Sequence, residues 1–90
     1  MARPLAQVSY LYLDRPGGRV TLEVSAYPAS YRCVVTLNGA PTRATRRRSL
    51  AAALRWGLDT AAWQVELLGL APPAIPLDLV WEEVRLRLAA

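Results

Sequence analysis

The apolar residues of this chain change period once. From Val8 to Leu37 they recur at every second position, and from Ser49 onward they recur every three to four. A period of two sends alternate side chains to opposite faces of a strand, whereas a period near 3.6 gathers them on one side of a helix. Strands first and helices afterwards describe an α+β fold, an antiparallel sheet of three to four strands with helices packed on one face.

The strand half has its own punctuation. Val8 to Asp14 is rich in β-branched, aromatic and leucine side chains and ends at Arg15, Pro16, Gly17 and Gly18, which is turn chemistry. Val20, Leu22, Val24 and Ala26 then alternate with Arg19, Thr21, Glu23 and Ser25, one face for a core and one for water. A turn at residues 27–30 leads to a third alternating run, in which Tyr31, Cys33, Val35 and Leu37 share a face. Asn38 and Gly39 tolerate positive φ, so the chain either returns in a short fourth strand over 40–43 or leaves the sheet there, and Pro41 speaks against a long return. The meander is expected over residues 7–38.

In the helical half, Leu50, Ala53, Leu54, Gly57 and Leu58 recur at helical spacing, which predicts a helix over 46–58. Three arginines in its first turn would oppose the macrodipole, so Ser49 is the better N-cap, with Arg46, Arg47 and Arg48 just ahead of it. Residues 61–70 read two ways: Trp63, Val65 and Leu67 alternate as in a strand, the preferred reading, yet Asp59 or Thr60 would cap a second helix. Prolines 72, 73 and 76 make 71–76 an extended connector. Leu77, Trp81, Val84 and Leu88 form the apolar stripe of a last helix over 77–89, with the alternation of residues 84–88 leaving a terminal strand as the minor alternative. The expected order is βββα(β)α within a single domain, residues 1–90.

Composition narrows the chemistry. With no histidine, the Ser-His-Asp and Cys-His arrangements cannot be built within the chain, and with one cysteine, Cys33, neither a disulfide framework nor a structural zinc site is available. The seven carboxylates are scattered without metal-loop spacing, and Gly17 and Gly18 lie in no phosphate-loop pattern. The expectation is a non-catalytic protein with no metal and no cofactor. Residues 1–7 lack the apolar run of a signal peptide and no stretch reaches the length of a membrane span, so a cytoplasmic location with no membrane partner is expected.

Charge supplies the functional lead. All eleven basic residues are arginine, a bias expected of GC-rich bacterial coding. Residues 1–60 hold nine of them against three carboxylates, while residues 61–90 hold two against four. The dense stretch is Arg43, Arg46, Arg47 and Arg48 at the mouth of the predicted helix, where free backbone N–H groups and guanidiniums together suit a phosphate. Arg32 and Arg19 on solvent faces of the strands are the supporting charges, and Tyr10, Tyr12, Tyr27 and Tyr31 are candidate stacking surfaces. These residues predict a DNA or RNA partner. The alternative is a protein partner or a homodimer, formed through Trp56, Trp63 and Trp81 and the last helix, where Leu79 and Leu86 lie outside the main stripe.

Overall fold

Three two-residue turns govern the first half of the chain. In the computed structural model, which describes residues 3–89, they join β1 (Ala6–Arg15), β2 (Gly18–Tyr27), β3 (Ser30–Leu37) and β4 (Ala40–Arg47). Each hairpin pairs the residues that flank its turn: Arg15 with Gly18, Tyr27 with Ser30 and Leu37 with Ala40. The result is one antiparallel meander in the order β1-β2-β3-β4, followed by α1 (Leu50–Leu67) and α2 (Leu77–Ala89). The ends of the expected 1–90 domain, Met1, Ala2 and Ala90, lie outside the described residues.

Asn38 and Gly39 both take positive φ, 53° and 85°, the combination that matches the right-handed twist of the strands they join. Asn38 Oδ1 also accepts from the Arg19 backbone N–H at 2.9 Å, tying this turn to β2. The turn therefore returns the chain into the sheet. β4 runs for eight residues, longer than Pro41 allowed in the sequence reading. Its place at the sheet edge removes the objection, because one side of β4 has no ladder to serve, and the register irregularity opposite Val35 and Thr36 falls where Pro41 enters.

The second correction concerns α1. It begins after Ser49, whose hydroxyl accepts from the Ala52 N–H at 3.1 Å as an N-cap should, so Arg46 and Arg47 are strand residues and not part of the helix start. It then continues through Leu67, and 61–70 contains no strand. Ala53, Gly57, Ala61, Gln64 and Val65 make a continuous buried stripe at helical spacing, whereas Trp63 and Leu67 of the apparent alternation stay exposed. The stop is Gly69 at φ 76°, with the Gly69 N–H donating to the Glu66 carbonyl and the Leu70 N–H to that of Val65, the paired bonds of a Schellman motif. Residues 71–76 form neither helix nor strand, with the Ile75 N–H donating to the Pro73 carbonyl in a tight turn where an extended run was expected, and the last helix spans Leu77–Ala89 as expected, giving ββββαα.

Both helices pack on the same face of the sheet, α1 over β2, β3 and β4 and α2 over β1. Val20, Leu22 and Val24 of β2 and Cys33 and Val35 of β3 meet Leu54, Ala61 and Val65 of α1, while Val8 and Leu13 of β1 belong to the same core as Val80 and Val84 of α2. Full burial of a side chain such as Leu22 or Leu54 contributes about 2 to 3 kcal/mol. α1 approaches β3 at Gly57, where a Cβ would stand 2.5 Å from Cys33 Sγ, so the glycine sets how close the layers lie. Among the described residues, no helix covers the opposite face of the sheet.

Candidate nucleic-acid interface

A strand at Ala40–Arg47 changes the meaning of the arginine run, because alternate residues now point to opposite faces. Arg46 is the Cα partner of Arg32 on β3, and both lie on the open face. Arg43 and Arg47, paired with Val35 and Tyr31, lie on the helix face. Arg48 follows the strand, exposed, beside the Ser49 cap. The cluster is thus split by a sheet edge and does not line the mouth of α1.

Each half contains one guanidinium held over an aromatic ring. On the open face the Arg46 guanidinium lies 4.5 Å from the centroid of Tyr27, and its Nη1 donates to Ser30 Oγ at 2.9 Å. On the helix face that of Arg43 lies 5.0 Å from the centroid of Trp63. Arg43 and Trp63 also line, with Trp56, Asp59 and Thr60, a groove of about 330 Å³ between β4 and α1. The Thr42 hydroxyl closes this side of the strand onto the helix, 3.0 Å from the Val35 carbonyl and 2.9 Å from Gln64 Oε1.

Like charges directly opposite on neighbouring strands destabilise a sheet by up to about 1 kcal/mol. Arg32 and Arg46 are such a pair and neither forms an ion pair: among the described residues these are Arg19–Asp14, Arg85–Glu82 and Arg87–Glu83, and the one carboxylate beside them by register is Glu23 on β2, diagonal to Arg32 on the open face. Arg19 is therefore set apart from the other sequence candidates. It holds Asp14 at 3.6 Å, and it sits six residues along β2 from Ser25, the partner of Arg32, which is about 20 Å at strand rise. The structure brings together Arg32, Arg43, Arg46, Arg47 and Arg48 at one edge and leaves Arg19 at the far end of the sheet.

The tyrosines divide as well. Tyr27 stands beside Arg46, but Tyr10 and Tyr12 belong to the helix face, where burial and, for Tyr12, the carboxylates of Asp59 and Glu66 raise their phenol pKa values. Trp63, 46% exposed, is the aromatic that sequence reasoning assigned to the alternative site and that the structure sets against Arg43. A helical reading of 61–67 puts Trp63 on the same side of α1 as Trp56, seven residues earlier; that this side meets β4 is decided by the packing. Cys33 is buried beneath Gly57, and burial pushes its thiol up to about 12. Among the described residues, no three His, Cys, Asp or Glu side chains gather in a way that would hold a metal ion, and no helix is long and apolar enough to cross a membrane. In comparisons with protein-family models, curated proteins and solved structures, none matches this chain.

Proposed function

We propose that this protein binds nucleic acid, as single strands, along the β4 edge of its sheet. The observation that carries the reading is the Arg32–Arg46 pair, two guanidiniums opposed on adjacent strands and, among the described residues, neither held in an ion pair. A phosphodiester supplies a negative charge to this pair, and a strand that follows the edge past Arg46 meets Arg48 and, on the helix face, Arg47. Tyr27 and Trp63 favour single strands, because they put a ring beside the phosphate-binding groups on either side of the edge, and only an unpaired strand can bring its bases to such rings.

The test is fluorescence anisotropy of labelled single-stranded DNA, RNA and duplex across a salt series. Single strands are expected to bind more tightly than duplex, and each contacting arginine changed to alanine should flatten the slope of log K against log salt by about 0.7. Tyr27→Leu and Trp63→Leu should each cost about 1 to 3 kcal/mol of affinity while leaving that slope nearly unchanged. Absence of binding at low salt would overturn the reading.

A further inference from the structure

The groove between β4 and α1 holds two opposite charges that do not meet. Around its 330 Å³ stand the Arg43 guanidinium, the Trp56 and Trp63 indoles, the Asp59 carboxylate and the Thr60 hydroxyl. Trp56 and Asp59, Trp56 and Thr60, and Asp59 and Trp63 are three or four positions apart on α1, so all four share one side of the helix. Among the described residues neither Arg43 nor Asp59 is in an ion pair, and Arg55, one turn before Asp59, does not bridge to it. Asp59 stands at the rim, where it also borders a groove with Tyr12, Arg55 and Leu58 on the β1 side.

Most of this lining suits a nucleotide in a simple way. Arg43 suits a phosphate, and bases stack on indole rings and guanidinium planes alike. Asp59 does not, because a carboxylate repels every phosphate that approaches the edge. That cost is offset where the base brings hydrogen-bond donors, since an ionised carboxylate accepts through two oxygens and donates nothing. The bases differ sharply here. Guanine carries N1–H and a 2-amino N–H side by side, two parallel donors for two oxygens. Adenine and cytosine present one amino group next to a ring-nitrogen acceptor, and thymine and uracil one N–H between two carbonyls, so each turns a lone pair toward the carboxylate. Guanine O6, next to N1, calls in turn for a donor, and Thr60 is the neighbour of Asp59 in the groove.

We propose that this groove takes one guanine of a bound single strand, with Asp59 accepting from N1–H and the 2-amino group and Thr60 donating to O6. The inference rests on the single-strand reading of the β4 edge and adds a base preference to it. In a duplex this edge of guanine is already paired, so the preference belongs to unpaired strands. Asp59 then acts in two directions: it weakens backbone binding in general and strengthens the binding of one base.

Fluorescence anisotropy of a labelled oligothymidylate, unmodified or carrying one central guanine, inosine, adenine or cytosine, tests it at a single salt concentration. The guanine strand is expected to bind about tenfold more tightly than the adenine, cytosine and all-thymine strands. Inosine, which keeps N1–H and O6 but lacks the 2-amino group, should fall in between. Asp59→Asn, at an exposed position, should abolish the guanine preference with an unchanged circular dichroism spectrum, while the all-thymine strand binds as tightly as before or more so. Equal affinity for all the strands, or a guanine preference that survives Asp59→Asn, would overturn the proposal and leave the single-strand reading standing. Binding by none of them at low salt would overturn both.

Discussion

Gly57 and Cys33 are a matched pair across the two layers. A methyl group at position 57 would enter the space of Cys33 Sγ, and Leu22 lies 3.5 Å from the same point. In an unconstrained helix Gly→Ala gains about 1 kcal/mol. Here overpacking reverses the sign, and Gly57→Ala is expected to destabilise by about 1 to 3 kcal/mol in denaturant unfolding. Cys33→Ala should make room, so the double variant should lose less than the sum of the two singles. The buried thiol has a pH signature. Its pKa is about 12 in the folded chain against 9.0 when exposed, so the folded state keeps a proton that the unfolded state gives up. The Cys33 contribution is whole below pH 9 and declines as pH rises toward 12, by up to about 1.4 kcal/mol per pH unit. Tyr10 and Tyr12, also raised, act in the same direction above their ordinary value of 10.0. Comparing urea midpoints of wild type and Cys33→Ala from pH 8 to the onset of alkaline unfolding isolates the thiol; a constant difference would show that burial does not hold the proton.

At the level of elements, α1 has a start and a stop of different kinds. Ser49 supplies an oxygen for an orphan N–H, and Ser49→Ala should cost about 1 kcal/mol. Gly69 supplies a left-handed backbone, and an alanine there should cost a similar amount, about 1 to 2 kcal/mol, without losing any side-chain contact. Thermal unfolding of the two variants measures both. The strands were legible because turn residues bracket them and one face is apolar throughout. β4 was not: Ala40, Thr42 and Ala44 alternate with Pro41 and Arg43 without an apolar face to bury, and the strand exists because β3 offers it a ladder. The segment 61–67 misled for the opposite reason, a chance alternation of Trp63, Val65 and Leu67 laid over a true helical stripe of small and polar residues, Ala61 and Gln64 among them.

For the whole molecule, one covered face and one open face make a slab 38 × 28 × 19 Å whose two edges differ in charge. The β4 edge is basic and the β1 edge uncharged over most of its length, so nucleic-acid binding is expected to depend on the first and not on the second. Arg32→Ala with Arg46→Ala should weaken single-strand binding and flatten its salt dependence with an unchanged circular dichroism spectrum; binding and a salt slope that survive the double change would show that the β4 edge is not the surface. The same double variant removes a like-charge pair, so its melting temperature should stay level or rise.

The arginine-rich stretch was visible in the sequence as a charge density, together with the absence of histidine and a cysteine framework, since these are matters of composition and order along the chain. The antiparallel meander and the helices on one face also followed, because period and turn chemistry act over a few residues. Which arginines lie together did not follow. That depends on β4 joining the sheet, which turns four neighbours in sequence into residues on opposite faces and sets Arg46 beside Arg32, fourteen positions earlier. Trp63 joined Arg43 only once α1 ran past Thr60 and packed against the same strand. Local pattern determined β1 to β3 and the helical starts; strand pairing, whose hydrogen bonds require a neighbour distant in sequence, made β4 and with it the candidate site.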